Sequence, residues 1–214
     1  MWTSYLAMGD STTEGVGDAV GDLECRAWTD WVADALRSGA PELQYRNIAK
    51  RGATAQDVLR EQVPLFEQWR PDFASLTVGA NDARKRDWTA DAFEADYASI
   101  LEAIEHCGAQ VMTATYPDIR PALEKAGQPV PEAWRPYFER MHEVSEIIRC
   151  VGKRHHAYLL DLESHDMAQD PRYISRDFTH PNALGYRMTA HLALTVLAAQ
   201  LGLPELASAI PVSG

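Results

Sequence analysis

Short apolar runs alternate with helical patterns five times along this chain, and that alternation limits the fold more than any other feature. Residues 2–8 read as a buried strand, and 43–49, 73–78, 110–115 and 157–161 as four further strands. Helical spacing marks 28–37, through Trp28, Trp31, Val32, Ala35 and Leu36, and 91–106, through Phe93, Tyr97, Ile100, Leu101 and Ile104. It also marks 54–66, where Thr54 and Asp57 are spaced to cap the start and Pro64 is expected to end or kink the helix. The segments 137–155 and 182–201 complete the set. Strand and helix taking turns predict a doubly wound α/β domain, a five-stranded parallel sheet covered on both faces.

The 214 residues suffice for one hydrophobic core, and no repeat, linker or low-complexity tract divides them, so residues 1–214 are read as a single domain. A net charge of −11 argues against a nucleic-acid partner, which a basic patch would serve. Cys25, Cys107 and Cys150 are odd in number and widely spaced, which fits reduced thiols rather than a disulfide framework or a zinc site. Met1-Trp2-Thr3 lacks the basic start of a signal peptide, and no run reaches the length of a membrane span. The expected location is cytoplasmic.

Polar blocks fall where strands end. Gly9-Asp10-Ser11 follows the first strand, Asn47 to Gly52 the second, Gly79-Ala80-Asn81-Asp82 the third, and Asp177 to Asn182 lies in the last loop, after the fifth. In an open parallel sheet the carboxyl ends of the strands share one edge, where ligands bind. Together the blocks suit acyl transfer. Ser11 is the candidate nucleophile, needing a base to take its proton. His180 is the candidate base, and Asp177 would hold its tautomer, so activity should rise as the imidazole deprotonates. The backbone N–H groups of Ser11 and Gly52 and the side-chain amide of Asn81 are candidate oxyanion donors. Gly52 is read as a glycine so that its backbone can approach a ligand closely.

These blocks resemble the SGNH hydrolases of the GDSL esterase/lipase superfamily. G-D-S, the glycine after strand two, G-A-N-D and D-F-T-H-P-N appear in the family's order from Gly9 to Asn182. The resemblance implies a flavodoxin-like three-layer α/β/α sandwich. It also implies Ser11, Asp177 and His180 as a catalytic triad, with Gly52 and Asn81 as oxyanion donors. Thr12 stands where many members carry leucine, a position outside their chemistry. No G-x-S-x-G surrounds the serine, which disfavours the α/β-hydrolase fold.

Elsewhere the bland reading is preferred. The glycines from Gly15 to Gly21 lack dinucleotide-site spacing, and His142-Glu143 and His155-His156 lack the partners a metal needs, so neither cofactor nor metal is expected. Arg84-Lys85-Arg86 reads as a solvated turn more readily than as an anion site, and Asp10 as a residue bonding its own loop. The five-proline stretch 116–136 leaves the fourth strand on the ligand edge. There Trp134, Tyr137 and Phe138 are candidate pocket walls. The reading is hydrolysis of a carboxylic ester with a small or medium acyl group, the substrate being a small molecule. Acyl transfer to a sugar or other alcohol, and a non-catalytic anion-binding module, remain as alternatives. Substrate identity and oligomeric state stay open.

Overall fold

The computed structural model describes residues 2–211. Five strands, β1 (Ser4–Gly9), β2 (Gln44–Asn47), β3 (Phe73–Thr77), β4 (Gln110–Ala114) and β5 (Tyr158–Leu160), pair in parallel in the order β2-β1-β3-β4-β5. The helices are α1 (Ser11–Glu14), α2 (Trp28–Arg37), α3 (Ala55–Asp57), α4 (Val63–Trp69), α5 (Ala90–His106), α6 (Arg120–Lys125), α7 (Arg135–Arg154) and α8 (Ala183–Leu201).

Alternation along the strands builds two cores. Tyr5, Ala7, Phe73, Met112 and Leu160 pack on one face against Trp28, Val32 and Leu36 of α2 and Tyr186, Leu194 and Leu197 of α8. Leu6, Met8, Ala74, Leu76 and Val111 pack on the other against Phe66, Phe93, Ile100, Val144 and Ile148, from α4, α5 and α7. The result is the expected α/β/α sandwich. Chain order reverses between β1 and β3, because β2 lies on one side of β1 and β3 on the other. Loops leaving such a switch point diverge and open a crevice at the carboxyl edge. Gly9 sits there at φ 132°, and a Cβ on it would run into the Thr77 carbonyl.

The structure adjusts the sequence reading in several places. β1 begins at Ser4 rather than at Trp2, which instead stacks on Phe73 with ring centroids 3.9 Å apart. The helix expected to end at Phe66 runs on to Trp69. A π-helical turn at Val58–Gln62 precedes Pro64, and the Thr54–Asp57 capping box opens the segment. A wide turn accommodates a proline that cannot donate its N–H. The stretch 116–136 is not wholly irregular. It holds α6 and a 3-10 turn at Glu132–Trp134, and the next helix starts at Arg135. The weakly patterned tail folds back as a 3-10 turn, Pro204–Ser208, burying Leu206 and Ile210.

Candidate active site

The sequence continues directly from β1 into α1. Asp10 caps that short helix by accepting the Thr12 N–H at 2.9 Å, so Ser11 occupies its first position, buried at the switch point. The Ser11 N–H has no partner among the described residues.

His180 arrives from the far end of the chain, on a loop that is tied down. Asn182 caps α8 through the Gly185 N–H at 3.0 Å, and its amide donates to the carbonyls of Arg172 and Ile174 at 2.7 and 3.1 Å. Ser175 donates its N–H to the His180 carbonyl at 2.8 Å and its hydroxyl to the Pro181 carbonyl at 2.9 Å. The loop after α1 straps this unit to the nucleophile side. Arg176 N–H donates to Asp18 at 2.7 Å, Ala183 N–H to the Asp18 carbonyl at 2.9 Å, and the Tyr186 hydroxyl to the Val16 carbonyl at 2.7 Å. The glycines from Gly15 to Gly21 thus belong to a structural strap; a Cβ on Gly17 would strike the Pro181 carbonyl.

Ser11, His180 and Asp177 come together, although 169 residues separate the first two. His180 Nε2 lies 2.8 Å from Ser11 Oγ, and Nδ1 lies 2.6 Å from Asp177 Oδ2. An ionised carboxylate only accepts, so Nδ1 carries a proton, and the neutral form of such a ring presents the Nε2 lone pair to the serine hydroxyl. Asp177 Oδ1 accepts the N–H groups of Thr179 and His180 at 2.9 and 3.0 Å. Partial burial opposes ionisation of Asp177, but the bonds from His180 and Thr179 outweigh it and hold the carboxyl below its usual range. Between the two residues Phe178 takes the left-handed conformation, φ 52°, rare for an aromatic residue. It lets the loop turn back on the Asp177 carboxylate.

The other candidates occupy the same edge. One N–H of the Asn81 amide donates to the Ala53 carbonyl at 2.9 Å. The second has only a 3.5 Å contact with Asp10 Oδ2, which leaves it capacity for another acceptor. Gly52 is exposed and outside the cavity lining, between Arg51, whose N–H donates to Glu14 at 2.5 Å, and Ala53. A Cβ on Gly52 would meet nothing within 4 Å, so close approach to other protein atoms is not why it is glycine. Its φ of 80° favours glycine.

A cavity of about 380 Å³ opens over Ser11 and His180. Trp134, Tyr137 and Phe138 all line it, as do Thr12 and Phe178. Tyr137 meets Trp134 and Phe138 edge-on, with centroids 6.0 and 5.3 Å apart. His142, Glu146 and Glu163 offer ligand atoms within 4.8 Å of one another, but Arg149 already pairs with both glutamates, at 2.6 and 2.7 Å, and fills the place of a cation.

Residues 7–188 match the model of the GDSL-like lipase/acylhydrolase family. The chain belongs to that family. It is therefore a carboxylic ester hydrolase. Among curated proteins none matches it in sequence. Solved structures share the fold of this GDSL-like acylhydrolase at low identity. Axe2, an acetylxylan esterase from Geobacillus stearothermophilus, is 19% identical with a TM-score of 0.70, over 91% of this chain and 94% of its own. The psychrotrophic esterase EstA from Pseudoalteromonas sp. is 16% identical with a TM-score of 0.69, over 94% and 99%. LAE5, an alpha/beta hydrolase enzyme from the metagenome of Lake Arreo, Spain, is 20% identical with a TM-score of 0.68, over 91% and 94%. No helix among the described residues is long and apolar enough to cross a membrane.

Sequence reasoning passed over part of this GDSL-like site. Asp10 does bond its own loop, but it also accepts the Tyr116 hydroxyl at 2.6 Å from the end of β4. Burial raises the Asp10 carboxyl above its usual range, against the hydrogen bonds from Tyr116 and Thr12. Gln62, in the π-helical turn, pairs its amide with both the N–H and the carbonyl of Gly9, each at 2.8 Å. Asp82, in G-A-N-D, is buried and accepts the Ala55 N–H at the start of α3. Only the buried position of the G-D-S and G-A-N-D blocks could have hinted at these contacts, since each joins distant segments.

Proposed function

We propose that this acylhydrolase cleaves its ester through a covalent acyl-enzyme formed on Ser11, with residues 1–214 working as one domain. The observation that carries the reading is the continuous contact from Asp177 through His180 to Ser11, at 2.6 and 2.8 Å. Ser11 Oγ attacks the ester carbonyl carbon while His180 Nε2 takes the hydroxyl proton. Asp177 fixes the ring and stabilises the imidazolium that forms. The carbonyl oxygen becomes an oxyanion, for which the Ser11 N–H, the Gly52 N–H and the second N–H of Asn81 are the available donors. As the intermediate collapses, the ester C–O bond breaks and His180 gives its proton to the leaving alkoxide. Water then attacks the acyl-enzyme with His180 again as base, releasing the acid and restoring Ser11.

Family membership favours this chemistry over a non-catalytic anion-binding module. The acetylated xylan of Axe2 is not carried over at 19% identity, and the aromatic walls at Trp134, Tyr137 and Phe138 favour an ester with an apolar portion. The test is a double-mutant cycle on Ser11→Ala and His180→Ala. Residues acting as one unit lose nearly the same activity singly and together, on the order of a millionfold in kcat. Independent, multiplying losses in the double variant would refute a shared proton-transfer unit.

A further inference from the structure

Two arginines line the cavity above Ser11, and their surroundings differ. Arg120 is compensated: Nε and a terminal nitrogen donate to the two carboxylate oxygens of Asp118, at 2.8 and 2.7 Å. Arg84 has neither a carboxylate nor any hydrogen-bond acceptor among the described residues. Its guanidinium carbon sits 5.1 Å over the centroid of the Tyr137 ring. Acids are not scarce in this chain, with 31 acidic side chains against 20 basic ones, and Asp10, Asp118, Glu163 and Asp177 line the same cavity, yet among the described residues none forms an ion pair with Arg84.

The turn that carries Arg84 is fixed. Ala83 N–H donates to the Gly79 carbonyl and Lys85 N–H to the Asp82 carbonyl, both at 2.9 Å. Arg140 reaches across from α7 and donates to the Ala83 and Lys85 carbonyls at 3.2 and 2.9 Å. Arg140 also lacks a carboxylate among the described residues, so it adds a second uncompensated positive charge behind the first. Stacked on an aromatic ring and anchored by its turn, Arg84 gives up little side-chain freedom when it meets an anion. Asn81 lies within the same turn, three residues before Arg84, so the cation belongs to the same strand end as a candidate oxyanion donor.

We propose that Arg84 is an anion-recognition residue of this site. The ester cleaved at Ser11 then carries a carboxylate or phosphate group beside an apolar portion packed on Tyr137 and Phe138. This inference rests on the Ser11 reading above. The sequence offers Arg84-Lys85-Arg86 as a solvated turn more readily than as an anion site; Arg84 and Arg86 are exposed on that turn, and the proposal takes the anion reading for Arg84 alone.

Matched charged and neutral esters test it. On the acyl side, the mono-para-nitrophenyl ester of glutaric acid and the para-nitrophenyl ester of phosphonobutyric acid are compared with para-nitrophenyl valerate. On the alcohol side, butyrate esters of para-hydroxybenzoate and of para-hydroxyphenyl phosphate are compared with that of methyl para-hydroxybenzoate. The readout is kcat/KM for the charged member over the neutral one, so any general loss of activity cancels. Wild type should prefer at least one charged ester by about tenfold, the scale of a charge-assisted hydrogen bond. The preference should shrink with added salt and fall to near parity in Arg84→Gln. Arg84→Lys should keep part of it, and Arg86→Gln, altered outside the cavity lining, all of it. Whether carboxylate or phosphate is preferred identifies the natural group. Parity in wild type for every pair, or an unchanged ratio in Arg84→Gln, overturns the proposal. Neutral-ester turnover that survives Ser11→Ala would instead overturn the Ser11 reading.

Discussion

Asp82→Asn turns a buried charge into a measurement. Asp82 is 5% exposed, and its two carboxylate oxygens lie 3.2 and 3.1 Å from the Ala55 N–H. Burial pushes its pKa from 3.8 to about 6, opposed by the Ala55 N–H and by the charge of Lys85. With the native pKa above the unfolded one, the sign is fixed. Below pH 3.8 both states are neutral and the site costs nothing. As pH rises, the unfolded chain ionises first and stability falls, until above about 6 the native carboxyl ionises too and the loss is complete. A rise from 3.8 to about 6 corresponds to about 3 kcal/mol. Asparagine keeps an acceptor for Ala55 and never ionises. Urea unfolding of both proteins across this range should therefore show the variant gaining about 3 kcal/mol on wild type from the acid end to neutrality. A difference that stays constant with pH would refute the assignment of a burial-raised carboxyl to Asp82.

Three further outcomes follow from the same geometry. Asp177→Asn should fold and keep Ser11 in place but lose about 10⁴ in kcat, because an amide can hold the wrong imidazole tautomer; a loss under tenfold in steady-state assays would remove Asp177 from that role. Tyr116→Phe deletes the 2.6 Å bond to the buried Asp10 carboxylate and should cost about 1–3 kcal/mol in urea unfolding, so an unchanged midpoint would show the bond to be dispensable. Gly9→Ala should destabilise by more than about 4 kcal/mol, or fail to fold by circular dichroism, since its Cβ meets the Thr77 backbone and its φ is 132°; near-native stability would contradict the close β1–β3 approach.

Much of the architecture is legible because burial on both faces of a sheet leaves a direct mark. Tyr5 to Met8 is an unbroken apolar run, Phe73 to Val78 and Val111 to Ala114 are apolar but for serine and threonine, and the stripe from Phe93 to Ile104 keeps helical spacing. The polar blocks are legible for the opposite reason: Asp10-Ser11 and Asn81-Asp82 interrupt apolar context where strands end. What escapes is whatever depends on contacts between distant segments. The Tyr116–Asp10 and Gln62–Gly9 bonds join residues 106 and 53 positions apart, and no local pattern encodes them. The helix past Pro64 survives through a π-helical turn, a backbone adjustment that composition does not signal. The short α6 hides within a proline-rich stretch that reads as loop. Arg84 shows the limit most clearly. Its sequence neighbours suggest a solvated turn, and only the ring of Tyr137 and the missing carboxylate set it apart.

The central claim is that Ser11 is an activated nucleophile, and the most direct measurement is the intact mass of the protein after exposure to a fluorophosphonate. Wild type should gain one adduct, mapped by peptide sequencing to Ser11, and folded Ser11→Ala should gain none. An unmodified wild type, or a label that persists in Ser11→Ala, would contradict the account.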